Sequence, residues 1–217
     1  MSDSFLLATR IPMTRESFER WLDTPIPAPA AIADPDAMFD GWFWDGKRAA
    51  DAWRAATPGG TAREFFAECV AGAAAGSPVS CVLTHEGGAL QVYLCDLMGY
   101  LESFVHTALL AFVAAGALAA DDGRHQVLFW AETAGNLPGP EWPGWLAVLT
   151  VGRGGAHFVA EAELTAAIAG LRPVEERFGA LVERMAESEE SWDGEGEYGT
   201  AAPLDPRFVD PAVLAPS

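Results

Sequence analysis

The sequence predicts an α+β fold built on a mixed or antiparallel sheet. Three observations carry this. Residues 79–95 alternate in polarity around Gly87-Gly88, which is a hairpin signal. Residues 97–120 repeat apolar side chains every three or four positions, which is a helix signal. Strand and helix patterns also alternate along the chain. With one insertion removed, the first part reads βαββαβ, the order of a ferredoxin-like split βαβ sandwich.

The elements follow in order. Phe5, Leu7 and Ile11 share one face of a strand over residues 4–12, and Pro12 limits its end. Thr14 suits a helix N-cap, and Phe18, Trp21 and Leu22 form a short apolar stripe ending near Asp23. Residues 24–60 are a Pro/Trp-rich insertion, opened by Pro25, Pro27, Pro29 and Pro35. A short helix is expected there over residues 47–56. Three Trp argue that the segment packs on the domain instead of linking freely.

Thr61 and Glu64 match a Thr-x-x-Glu capping box, in which two side chains satisfy free backbone donors. Phe65, Phe66, Cys69, Val70 and Ala73 give that helix its stripe. In the hairpin, a two-residue turn pairs Leu83 with Val92 and Cys81 with Leu94. Val79, Cys81, Leu83, Leu90, Val92 and Leu94 then share one face. His85 and Glu86 are expected to be exposed beside the turn. The long helix is followed by short strands over residues 126–131 and 146–151. Gly152 to Gly155 is expected to be a turn, and two C-terminal helices over residues 160–171 and from Pro173. Residues 1–190 form one domain in this reading. Residues 191–217 form an acidic tail, flexible or only loosely docked.

Charge limits the partners. The chain carries 31 Asp and Glu against 13 Lys and Arg, a formal net of −18. Nucleic acid needs cations for counterion release and is disfavoured, as are anionic membranes. Phe104 to Ala120 is free of charge but short for a membrane span and flanked by Glu102 and Asp121. Cys69, Cys81 and Cys95 are odd in number and fit no zinc spacing, which suits a reducing, cytoplasmic setting. Only Lys47 among the bases is lysine, and Ala and Gly are abundant, the mark of a GC-rich, bacterial genome.

No catalytic or cofactor motif survives inspection, and no cofactor or metal is predicted. GEGEYG at residues 194–199 spells a dinucleotide fingerprint but has no strand before it, and its acids would repel a pyrophosphate. GWFWDGKR at residues 41–48 approaches a phosphate loop but has Arg48 where the magnesium-binding hydroxyl belongs. There is no Gly-x-Ser-x-Gly elbow.

The candidate binding residues fall in two groups. Trp42 and Trp44 lie in one loop-rich segment, and Trp142 and Trp145 in another. They either form an interface or plug the ends of the core. Glu102 and His106 stand at i and i+4 on the long helix, and Asp96 lies just before it, between strand and helix. The last three are either a pocket's polar groups or a cap and a polar strip.

Two functions follow. One is an acidic protein-binding module for a basic protein, with the properties of an immunity protein or inhibitor. The other is a small-molecule binder or enzyme with a pocket near the Trp loops. A homo-oligomer buried through the Ala-rich helix is a third arrangement.

Overall fold

Alternation at the start of the chain produces β1 (Phe5–Pro12), and its position decides the rest of the sheet. In the computed structural model β1 pairs with β3 (Ala89–Asp96) on one side and β4 (His125–Ala131) on the other, both antiparallel. The structure describes residues 5–39, 53, 56–74, 79–96, 102–131, 145–159, 163, 165, 166, 169, 176, 180 and 209–215. With β2 (Val79–Glu86), β5 (Trp145–Gly152) and β6 (Gly155–Phe158), the strands stand in the order β2-β3-β1-β4-β5-β6. Every ladder is antiparallel. Three helices accompany the sheet among the described residues, α1 (Arg15–Leu22), α2 (Ala62–Ala74) and α3 (Glu102–Ala117). The class is α+β.

Local chemistry places the helix starts. Thr14 Oγ1 accepts from the Ser17 amide at 3.1 Å and caps α1. The capping box forms in both directions. Glu64 Oε2 accepts from the Thr61 amide at 2.8 Å, and Thr61 Oγ1 accepts from the Glu64 amide at 3.2 Å. The hairpin takes the expected register, Leu83 opposite Val92 and Cys81 opposite Leu94. Gly87 and Gly88 adopt φ of 57° and 70°, the positive pair that a primed turn demands.

The helices bury their apolar sides on one sheet face. Leu7, Ile11, Leu83, Leu90, Val92, Val127, Phe129 and Leu149 meet Phe18, Trp21, Phe66, Leu109 and Phe112 there. Trp21 is fully buried, and its indole N–H donates to the Ala111 carbonyl at 2.8 Å, so its one polar atom is satisfied. Each such side chain stabilises the fold by roughly 1.5–3 kcal/mol through burial. Helix α3 is apolar on nearly every side and is buried accordingly. It approaches the sheet closely at Gly116, where a Cβ would stand 2.7 Å from the Gly152 amide nitrogen. Ala108, Ala111 and Ala115 are fully buried within the chain. No helix among the described residues is long and apolar enough to cross a membrane.

Among the described residues of 24–60, Ile26, Ile32, Met38, Trp53 and Ala56 lie in the core. The segment's described parts are short 3₁₀ turns at Pro29–Ala31 and Pro35–Phe39. Residue 53 is helical, and the rest of the helix expected over 47–56 lies outside the described residues apart from the buried Ala56. The two C-terminal helices lie largely outside them as well. Residues 163, 165, 166, 169, 176 and 180 are helical and exposed.

Two findings differ from the expectations. Strand β6 follows the Gly152–Gly155 turn, where no strand was expected. His85 is half-buried instead of exposed. Its Nε2 donates to the Met13 carbonyl at 2.9 Å, which ties the hairpin end to the β1–α1 connection. The described end of the acidic tail, residues 209–215, is docked. Val209 forms a parallel bridge with Leu83, and the Asp210 amide donates to the Leu83 carbonyl at 2.7 Å.

Both sheet edges are therefore partly closed. Val209 covers part of β2, and Ile32 forms a parallel bridge with Ala156 of β6. The Ala33 amide adds a bond to the Ala156 carbonyl at 2.9 Å.

Candidate functional site

The side chains singled out in the sequence separate in the structure. Trp42, Trp44 and Trp142 lie outside the described residues. Trp145 is the first residue of β5, opposite Ala131. Asp96 ends β3, opposite both Phe5 and Val79, and Glu102 begins α3. The side chains of these three lie outside the described set. His106 is fully buried, and its ring stacks on Trp53 at 4.3 Å with an interplanar angle of 24°. The Trp53 indole N–H donates to the Pro35 carbonyl at 2.8 Å. His106 thus joins the insertion to α3 inside the core and lines neither of the clefts described here.

One helical turn away, α3 turns a different side outward. Ser103, Phe104 and Thr107 face α2 across a groove of about 470 Å³. Phe65 and Phe104 form its floor, with ring centroids 5.0 Å apart, and both are half-buried. The Thr107 hydroxyl donates to the Ser103 carbonyl at 2.6 Å and accepts from the Thr57 amide at 3.0 Å, which fixes one wall. Glu64 and Glu68, both exposed, stand on the opposite wall. Among the described residues no base lines the groove. It combines an aromatic floor with two carboxylates, and such a surface attracts a cation that carries apolar bulk.

Of the six described arginines, three are held by this chain's own carboxylates. Arg15 pairs with Glu19 at 2.7 Å and Asp210 at 2.5 Å, Arg63 with Asp23 at 2.7 Å, and Arg153 with Asp122 at 3.2 Å. Arg63 also donates to the Ala212 carbonyl. The Asp210 bonds to Arg15 hold that guanidinium even more firmly protonated than usual. Burial pushes the Asp210 carboxyl up, but hydrogen bonds from Arg15 and the Ala212 amide outweigh it and hold the carboxyl below the usual range.

The buried thiols offer no nucleophile. Burial pushes Cys81 up to about 12 and raises Cys69 as well, so both stay protonated. Among the described residues no group of His, Cys, Asp and Glu could hold a metal ion.

Sequence patterns missed the groove because its walls come from residues around 57, 65 and 104. Helix periodicity marks Phe65 and Phe104 as core positions and cannot say that two core positions meet at the surface. Comparison with protein-family models, curated proteins and solved structures finds no match to this chain.

Proposed function

We propose that this chain is an acidic protein-binding module that captures a basic protein, in the manner of an immunity protein or inhibitor acting in the cytoplasm. The observation that carries this reading is the α2–α3 groove. A half-exposed Phe65–Phe104 floor lies beside Glu64 and Glu68, with no base along it among the described residues. An arginine or lysine of the partner would lay its stem on the rings and its charged head against Glu68. The overall charge of −18 would speed the encounter, and the aromatic floor would supply affinity. We read the strand order β2-β3-β1-β4 as a ferredoxin-like split βαβ unit that β5 and β6 extend.

The test is capture from a lysate of the native host, eluted by salt, with the full chain and with Glu68→Arg and Ser103→Arg. A basic protein retained by the unaltered chain, released at moderate salt and lost with either substitution supports the proposal. Retention that ignores salt and both substitutions sinks it.

A further inference from the structure

The sheet's second face carries an arrangement that the α2–α3 groove does not explain. On that face Leu6, Ala8, Val82, Tyr93, Leu128 and Val148 are all buried. One step further along that face, each of the six strands carries a polar residue. Thr84, Gln91 and Arg10 align across β2, β3 and β1. Gln126, Thr150 and His157 align across β4, β5 and β6. The neighbouring pair Thr9–Val127 sets Arg10 beside Gln126 and joins the two halves. The row crosses the whole sheet and contains no carboxylate, in a chain with 31 acids.

At its β6 end the row opens into a cleft of about 460 Å³. Thr150, His157 and Arg124 line one side. Ala30, Ala31 and Ala33, from the segment that runs along the β6 edge, line the other. Three donors stand there. Among the described residues the Thr150 side chain makes no hydrogen bond. Arg124 and His157 make no ion pair or side-chain hydrogen bond among the described residues. The one carboxylate on the cleft, Asp122, is engaged by Arg153 at 3.2 Å. Asp121, just outside, lies 3.1 Å from His125 Nε2.

We propose that this corner is a binding site for a small-molecule monocarboxylate. Arg124 and the Thr150 hydroxyl hold the carboxylate, His157 stands alongside, and Ala30 and Ala33 contact the apolar body. A planar guanidinium fork matches a carboxylate in two parallel hydrogen bonds. A single negative charge suits the site better than a phosphate dianion, because one arginine must work against the field of a chain at −18. The cleft has room for a body larger than the carboxylate itself, and the alanine methyls favour an apolar one.

The test is titration of the full chain with 3-phenylpropionate at matched ionic strength, followed by NMR of the His157 ring. 3-Phenylpropanamide and inorganic phosphate serve as comparisons. A saturable shift with a Kd near 1 mM is expected, as suits one charged contact in an open cleft. Arg124→Gln should weaken binding about tenfold, the loss of one charge-assisted pair. Thr150→Val, which keeps the shape, should weaken it by a smaller factor. The amide should not saturate. The assignment is overturned by an absent shift at about 50 mM ligand, far above the expected Kd. It is equally overturned by equal binding of the amide, by tighter binding of phosphate, or by unchanged affinity in Arg124→Gln. Arg124 is exposed, so that variant folds whatever becomes of Thr150→Val.

Discussion

Arg15 and Asp210, 195 residues apart, share two hydrogen bonds, from Nη1 at 2.5 Å and Nη2 at 2.9 Å. Asp210 is buried and also accepts from the Ala212 amide at 3.0 Å, which caps the turn Pro211–Val213. The pair thus pins the C-terminal segment to α1.

Asp210→Asn should lower stability by about 1–2 kcal/mol, a charge-assisted pair discounted because Arg15 is half-exposed. The pH dependence has a definite sign. The folded carboxyl lies below its ordinary value of 3.8, so its contribution is complete above that pH. It is lost as pH falls through the folded value. Urea unfolding between pH 3 and pH 7 should show the parent losing more stability than Asp210→Asn toward the acid end. Parallel curves would refute the role.

Removing residues 209–217 should cost more than Asp210→Asn alone, because the Val209 bridge to Leu83 and the Arg63 bond to the Ala212 carbonyl go with it. The truncated chain should also associate, since the backbone of β2 near Leu83 is uncovered. Light scattering at increasing concentration would detect this. A monodisperse truncated chain of unchanged melting temperature would count against it.

Gly116→Ala should destabilise by about 2 kcal/mol or more, as overpacking against backbone does. Its new methyl would meet the Gly152 nitrogen and the Val151 side chain at 2.7 Å. Gly154→Ala has nothing within 4 Å and should change stability by less than about 0.5 kcal/mol. Thermal melts of the two variants give the contrast, and equal melting temperatures would refute the close approach.

In a Cys95→Ser background the remaining thiols should resist a thiol reagent at pH 8 until the chain unfolds. Cys69 and Cys81 are buried, and desolvation keeps both protonated. Fast labelling of the folded chain would contradict their placement.

Legibility in the sequence tracked the range of the interaction. The hairpin register needed only period-two alternation and two glycines, both local. The α1 cap and the Thr61–Glu64 box span three residues and were equally readable. Strand β6 was missed because four residues, Gly-Ala-His-Phe, hold too little alternation to register. The Arg15–Asp210 pair carries no local signal at all. His106 shows a further limit. Its spacing from Glu102 suggested a polar strip, but the partner that buries it is Trp53, brought in by the insertion. Of the candidate sites, single residues were visible in the sequence. The groove at Phe65 and Phe104 and the cleft at Thr150 exist only once distant segments meet.

The two sheet edges differ in when they can be closed. Ile32, which covers β6, leaves the ribosome before β6 does, so that edge has its cover waiting. Val209, which covers β2, emerges after all six strands. During synthesis a nearly complete sheet therefore spends an interval with one live edge, and that interval is when the nascent chain is open to mispairing or to a chaperone.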